Sequence, residues 1–270
     1  MNSNILKKIK ALPPLDDTIM KIQSICTNKN SSLSELVKVV EGDPMLTANI
    51  LKSSNSPLYG FSREIKNVSH AISLFGMATI RGFALASAIK KNMKIELSPY
   101  NLTSAKFLEI SVAQSALMFN WYTKVDRAML DILVPASFMM EVGKIVIANE
   151  LIEQKLDAKF IEALKETKTP VQISALEKEM LCFSNEEITA KIFEQWNLEA
   201  ELIEAIRYSS SPSDADEHIQ PYANALLIIK NCINIFGQFE DDMLLSSLDM
   251  LALNKLDKEP FMNAVEKVKQ

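Results

Sequence analysis

The almost continuous helical pattern of the chain is the feature that most constrains its fold. Only six of the 270 residues are glycine, and no alternation of apolar and polar residues lasts long enough to predict a strand. The sequence therefore predicts an all-α fold. Helices are expected at 16–27, 33–41, 44–54, 68–75, 77–93, 103–123, 126–140, 142–153, 157–167, 171–182, 185–196, 199–209, 219–236, 241–253 and 259–268.

Helix ends are marked by residues that favour them. Asp43 precedes Pro44, which places a capping carboxylate before the favoured first-turn proline. Asn67 precedes the segment 68–75, and Gly76 follows it as a terminator. These signals predict a break at Gly76 between two helices.

Charge and composition favour a folded, soluble protein that binds no nucleic acid. Charged residues make up 23% of the chain and the net charge is −5, whereas a duplex-binding protein usually needs a basic face. The basic clusters at 7–10 and 90–94 are short and have the pattern of solvated helix ends. Segments 33–41 and 44–54 could form a DNA-binding helix-turn-helix, but the second carries one cation, Lys52.

The chain is expected to be cytoplasmic, with no membrane insertion. Its longest apolar runs stop well short of the roughly 20 residues that span a bilayer, and its N-terminus lacks a long apolar signal segment. Cys26, Cys182 and Cys232 lie far apart with no CxxC motif, so we expect buried, reduced thiols.

Three ordered blocks in the first half resemble the HDOD family, the HD-related output domains of bacteria. The segment 12–15 resembles the family's opening L-P-x-L, 43–56 its D-P-x-L…N-S block, and 68–76 its A-I-x-x-L-G block. The resemblance covers roughly residues 10–212. Its signature residues have capping and packing chemistry, so we expect them to be structural: Asp43, Pro44, Leu46, Leu51, Asn55, Ser56, Ala71, Gly76 and Gly143.

The second half resembles the metal-binding part of HD phosphohydrolases, with its ligands replaced. Segment 137–144 is similar to the helix that carries the His-Asp pair of those enzymes, and here that pair is Met140-Glu141. The other ligand positions of this degenerate site are aligned with Asn185, Ser209, Ser210 and, from an earlier helix, Ile110.

These replacements predict a protein that is not an enzyme and has no metal or cofactor. A thioether is a poor ligand for the hard cations that activate water in phosphate ester cleavage. His70 and His218, the only histidines, are too distant in sequence to form the histidine cage of an HD enzyme. Glu141 and Glu186 or Glu187 could bind Mg²⁺ in principle, but we expect solvated or helix-terminal carboxylates.

The resemblance implies three parts within one compact unit. These are an N-terminal helical part at 1–97, an HD-like helical part at 98–212 and a C-terminal helical extension at 213–270. Seams are predicted at 95–100 and 209–214, where prolines interrupt the helices.

The function that the resemblance implies is a stand-alone, non-catalytic signal-transduction module in motility, chemotaxis or stress control. It would act through contacts with unidentified signalling proteins, with a helix of a partner in a groove between the two halves. Two alternatives remain: a metal-dependent nucleotide phosphohydrolase or phosphodiesterase of the HD superfamily, and a cyclic-dinucleotide binder without cleavage. The sequence assigns neither binding residues nor an oligomeric state.

Overall fold

The fold consists of α-helices joined by short turns. The structure, a computed structural model, describes residues 2–28 and 30–269, and no β-strand occurs among them. The helices are α1 Asn2–Lys10, α2 Asp17–Thr27, α3 Leu33–Glu41, α4 Pro44–Ser54, α5 Val68–Asn92, α6 Ser104–Val125, α7 Leu130–Met139, α8 Gly143–Glu153, α9 Asp157–Leu164, α10 Pro170–Leu181, α11 Asn185–Gln195, α12 Ala200–Arg207, α13 Gln220–Cys232, α14 Asp241–Leu253 and α15 Lys258–Lys269. The predicted all-α fold is confirmed.

The predicted helix signals act as expected. The Asp43 carboxylate accepts hydrogen bonds from the backbone N–H groups of Met45 and Leu46, both at 3.0 Å, and Pro44 occupies the first turn. Asn67 caps α5. Gly76 divides α5 with φ 81° and ψ 164°, as the sequence predicts, so the two helical segments on either side change direction there.

One helix is absent from the sequence prediction. Helix α1 buries Ile5 and Ile9, and its Asn4 amide and Lys8 ammonium bond to the Glu150 carboxylate of α8 at 3.0 and 2.5 Å. So short a polar helix has little stability of its own, because helix nucleation is unfavourable. Its stability comes from docking on residues about 140 positions away, which local patterning does not reveal.

The predicted helix 219–236 is too long. Helix α13 ends at Cys232, and the next residues form a turn in which the Asn234 side-chain oxygen accepts from the N–H groups of Phe236 and Gln238, both at 2.9 Å. Asparagine competes with the helix by such local bonds. The prediction that all cysteines are buried is also wrong, since Cys182 is exposed at the C-terminus of α10.

The helices pack around one hydrophobic core. Helices α2, α3 and α4 pack on α5, and α7 contacts both α5 and α6. Helices α12 and α13 contact α7, and α15 returns to pack on α6. Because these contacts cross both predicted seams, the domain bounds 1–97, 98–212 and 213–270 stay a prediction.

One helix has the length and composition of a membrane span. Among residues 2–28 and 30–269 this is α5, and 61% of its most apolar stretch is buried inside the fold. Core helices of soluble proteins share these properties.

Candidate functional site

The site forms where the turn after α7 meets the first residues of α11. Gly143, at the start of α8, makes this approach possible. A Cβ at Gly143 would overlap the Asn185 carbonyl oxygen and lie 2.9 Å from Thr189 Oγ1. The two helix N-termini therefore contact each other directly only because residue 143 has no side chain.

Hydrogen bonds from α11 fix this contact. The Asn185 amide donates to the Met140 carbonyl at 2.8 Å and to Glu141 Oε2 at 3.2 Å, and its oxygen accepts from the Lys144 N–H at 3.1 Å. Thr189 Oγ1 accepts from the Gly143 N–H at 2.8 Å. These bonds satisfy N–H groups that a buried helix start would otherwise leave unpaired.

Five charged side chains surround this contact, and we call them the buried ion cluster: Glu141, Lys144, Glu177, Glu186 and Lys230. Each is at most 7% exposed. Lys144 pairs with Glu141, and Lys230 pairs with Glu186. A longer contact joins the two pairs, with Lys230 Nζ 3.8 Å from Glu141 Oε1. Another connects Glu177 to the first pair, with Lys144 Nζ 3.9 Å from Glu177 Oε1.

Neutral donors add hydrogen bonds to these carboxylates, but Glu186 Oε2 is buried and has no hydrogen-bond partner among the described residues. Tyr100 donates its phenol hydrogen to Glu177 at 2.8 Å, and the Asn185 N–H donates to the same carboxylate at 2.6 Å. Ser210 and Ser174 donate to Glu186 at 2.8 and 3.1 Å. Buried charges are tolerable only with partners of this kind.

Burial and ion pairing act in opposite directions on these groups. Burial alone would raise the pKa of Glu141 and of Glu186, but the Lys144 and Lys230 ammonium groups hold both pKa values below the ordinary range. Burial would lower the pKa of Lys144, but its carboxylate neighbours raise it instead. Glu141, Glu186 and Lys144 are therefore charged at neutral pH.

Glu177 differs from the other two carboxylates. Burial raises its pKa to about 7, with a further contribution from the negative charge of Glu186. With all three glutamates ionised, the cluster of three carboxylates and two ammonium groups would have a net charge of −1. A proton on Glu177 makes the cluster neutral, and Glu177 is the one of the three carboxylates whose pKa is raised.

The residues at this site do not fit a divalent metal. In the part of the chain that the structure describes, no group of three or more His, Cys, Asp or Glu side chains is arranged to bind one. The carboxylates are instead directed at ammonium groups. The adjoining cavity measures about 20 Å³, room for roughly one water molecule, and its walls include Ile110, Glu141 and Lys230.

Most of the degenerate positions predicted from the sequence come together. Met140, Glu141 and Asn185 are in direct contact, and Ser210 joins them through Glu186. Ser209 is buried but outside the cluster, since its hydroxyl donates to the Ile206 carbonyl. The signature residue Asn55 is distant in sequence from these positions. Its side-chain amide donates hydrogen bonds to the backbone carbonyls of Leu51 and Ile65.

The other signature residues have the structural positions expected of them. Ala71 and Leu46 are buried in the core, while Leu51 is half-buried against it. Ser56 precedes a short 3-10 turn, and its carbonyl accepts from the Tyr59 N–H at 3.2 Å.

Glu186 lies in the first turn of α11, one of the two environments expected for these carboxylates. The other expectation is corrected, because Glu141 and Glu186 are not solvated: they are 7% and 1% exposed and form ion pairs. Lys230 carries no motif and was missed altogether. Its signal is a lysine inside the apolar run 225–233, where a helix buried on all sides tolerates a charge only beside a counter-charge.

The fold and the site define an all-helical protein with buried lysine–glutamate pairs around Met140, Glu141 and Asn185. The HDOD domain matches residues 12–212, so the chain belongs to the HDOD family.

Known proteins of similar sequence or fold come from several bacteria. An uncharacterized protein of Treponema pallidum (strain Nichols) is 21% identical over 227 residues, 81% of this chain and 41% of that protein. The chain thus spans about two fifths of that relative's length. A structure described as a virulence factor from Campylobacter jejuni is 27% identical, with a TM-score of 0.60 over 99% of this chain and 95% of that one. An HDOD domain protein of unknown function from Geobacter sulfurreducens is 16% identical, with a TM-score of 0.71 over 98% and 93%.

Proposed function

We propose that this HDOD protein is a non-catalytic regulatory module in bacterial signal transduction. The observation that carries the proposal is the buried ion cluster, in which Lys144 and Lys230 neutralise the carboxylates around the former metal site. A protein that keeps the fold and fills its catalytic centre with internal ion pairs has a scaffold suited to contacts with other proteins.

The energetics of the cluster disfavour metal binding. A divalent cation would have to displace two ammonium groups from Glu141 and Glu186. Lys230 would then be buried without a carboxylate partner, and Lys144 would keep only its longer contact with Glu177. Removing one partner from a buried ion pair costs about 3–5 kcal/mol. Of the remaining groups, the Glu177 carboxylate already accepts hydrogen bonds from Tyr100 and Asn185. The others are amide, hydroxyl and thioether groups, which are weak ligands beside carboxylate and imidazole.

The space beside the cluster disfavours a nucleotide substrate. Pockets for small ligands usually measure about 300–1,000 Å³, whereas this cavity measures about 20 Å³. We therefore prefer the non-catalytic role to the phosphohydrolase alternative. We also propose that no cyclic dinucleotide binds beside the buried ion cluster.

Hydrolysis assays test the absence of catalysis. We expect no turnover of bis(p-nitrophenyl) phosphate or of cyclic and linear nucleotides with Mg²⁺ or Mn²⁺. The matched control is Glu141→Gln. Turnover by the wild type that disappears in this variant would contradict the proposal, whereas equal traces in both proteins would indicate a contaminant.

The regulatory part of the proposal concerns partners. We propose that the protein acts in the cytoplasm on signalling proteins of motility, chemotaxis or stress responses, with a partner helix bound between its halves. Affinity capture from the native host with mass spectrometry tests this, against an unrelated helical protein of similar charge. Failure to enrich any signalling protein over that control would count against it.

A further inference from the structure

A second cavity, away from the buried ion cluster, has the size and charge of a ligand site. It measures about 600 Å³, within the range of small-molecule pockets. It lies between the C-terminal end of α4 and the segment 56–66. We call it the basic cleft, and its walls include Lys52, Ser54, Arg63 and Lys66.

The charge of the basic cleft is opposite to that of the whole molecule. Three cations, Lys52, Arg63 and Lys66, line it with one anion, Glu64, in a chain of net charge −5. All four side chains are exposed, and none forms an ion pair within residues 2–28 and 30–269. Nine other cations among the described residues pair with carboxylates, whereas the three cations of the basic cleft remain available to a ligand.

A second cleft, lined by acidic residues, shows that the positive charge is specific to the basic cleft. A cavity of about 260 Å³ beside α12 is lined by Glu201, Glu204, Asp216 and His218. An anion would be repelled there and attracted to the basic cleft. The molecule thus presents two concave surfaces of opposite charge, of which the larger is basic.

The walls of the basic cleft are held in place before any ligand binds. The Asn55 amide donates to the carbonyls of Leu51 at 2.9 Å and Ile65 at 2.8 Å, and its oxygen accepts from the Ile65 N–H at 2.8 Å. Phe61 packs edge-on against Phe75 with ring centroids 5.2 Å apart. A preorganised loop loses less entropy when it binds a ligand.

A second feature of the basic cleft is independent of its charge. Ser54 lines the cleft and is fully buried, and its hydroxyl has no hydrogen-bond partner among the described residues. Buried polar groups are normally paired, so an unpaired one calls for a specific explanation. A ligand rich in acceptor oxygens would provide the missing partner.

We infer that the basic cleft binds the phosphate group of a small phosphorylated molecule. Arginine offers the planar fork of donors that matches phosphate oxygens, and the two lysines add compact positive charge. Phosphate binding in the basic cleft does not depend on the absence of catalysis at the buried ion cluster. An experiment can therefore contradict one proposal and leave the other unaffected.

Calorimetric titration with sodium pyrophosphate tests the inference. We expect saturable binding by the wild type at an ionic strength of about 0.15 M, where distant charges are screened, and at least a tenfold weaker affinity in the triple variant Lys52→Ala/Arg63→Ala/Lys66→Ala. The three side chains are exposed, so the variant should keep the circular dichroism spectrum and melting temperature of the wild type.

The matched control removes the same charge from another surface. Lys7→Ala/Lys10→Ala/Lys21→Ala changes three exposed lysines that do not line the cleft. We expect it to bind pyrophosphate within about twofold of the wild type, since long-range effects of exposed charges are screened. Absence of saturable binding by the wild type, or equal loss in both triple variants, would overturn the inference.

A second titration distinguishes phosphate from an acidic protein segment. The probe is a hexaglutamate peptide. Weaker binding of the peptide than of pyrophosphate supports the phosphate site. Tighter binding of the peptide, lost in the Lys52/Arg63/Lys66 variant, would overturn it in favour of an acidic segment of a partner protein.

Discussion

At the residue scale, the buried ion cluster is held together by charges that compensate one another. Lys230 reaches Glu186 across 44 positions of sequence, and Lys144 reaches Glu141 within one turn. Each ammonium group lies beside a carboxylate that a bound metal cation would need as a ligand. The stability of this arrangement therefore depends on both members of each pair.

The first prediction concerns Lys230. Lys230→Met should reduce the free energy of unfolding by about 3–5 kcal/mol, because Glu186 would stay buried without its counter-charge. Adding Glu186→Gln should recover a large part of the loss, since the remaining amide needs no cation. Urea unfolding of the wild type, both single variants and the double variant measures the coupling. Strictly additive effects would show that the pair contributes nothing.

The second prediction concerns Gly143. Gly143→Ala should destabilise the protein by about 1–3 kcal/mol, since the new methyl group would meet the backbone of Asn185, which cannot turn aside as a side chain does. Gly42→Ala is the control. Gly42 has an ordinary φ of −68°, and its replacement should change stability by less than about 1 kcal/mol. Thermal unfolding compares them, and equal effects would contradict this account of Gly143.

The sequence predicted that Met140, Glu141 and Asn185 lie at a common site. It did not predict the lysine–glutamate ion pairs around them. The resemblance placed these positions on a common site, and in the structure the Asn185 amide donates hydrogen bonds to Met140 and Glu141. The charges of the site come from Glu177 on α10 and Lys230 on α13, which no motif links to segment 137–144. Pairing across such distances depends on tertiary packing, which periodicity cannot reveal.

At the element scale, helix boundaries follow local chemistry wherever that chemistry is strong. Caps such as Asp43 and Asn67 and the break at Gly76 were all predictable, because each depends on a few neighbouring residues. Helix α1 was not predictable, because it is stabilised by Glu150 of α8.

The third prediction concerns the break in α5. Gly76 has φ 81° and ψ 164°, a region that only glycine occupies readily, so Gly76→Ala should cost about 1–3 kcal/mol. Gly60 is a matched control with φ 74° and ψ 24°, a left-handed conformation that other residues tolerate better. Neither position is crowded. Chemical denaturation should therefore show the larger loss for Gly76→Ala, and the reverse order would contradict this explanation.

At the scale of the whole molecule, the buried ion cluster joins helices from all along the second half. Its members lie on or beside α8, α10, α11 and α13. A change in their protonation therefore acts on global stability rather than on one helix.

The fourth prediction concerns stability and pH. The folded-state pKa of Glu177 is raised to about 7, so the folded protein holds a proton that the unfolded chain releases near pH 4.5. The contribution of Glu177 is fully present below that value and declines as pH rises towards 7, by a total of about 3 kcal/mol. Urea unfolding from pH 5 to pH 8 should show this decline in the wild type.

Glu177→Gln is the matched variant for the pH dependence, because its amide resembles the protonated carboxyl group. The difference in unfolding free energy between variant and wild type should change in favour of the variant as pH rises from 5 to 8. A difference that is independent of pH would show that Glu177 is ionised throughout the range.

The central claim is that ammonium groups take the place of a metal beside Glu141 and Glu186. Calorimetric titration of EDTA-treated protein with MnCl2 tests it most directly, with Glu141→Gln as the control. The account predicts that neither protein binds Mn²⁺ saturably at micromolar concentrations. Binding of one Mn²⁺ per wild-type chain, lost in Glu141→Gln, would contradict it.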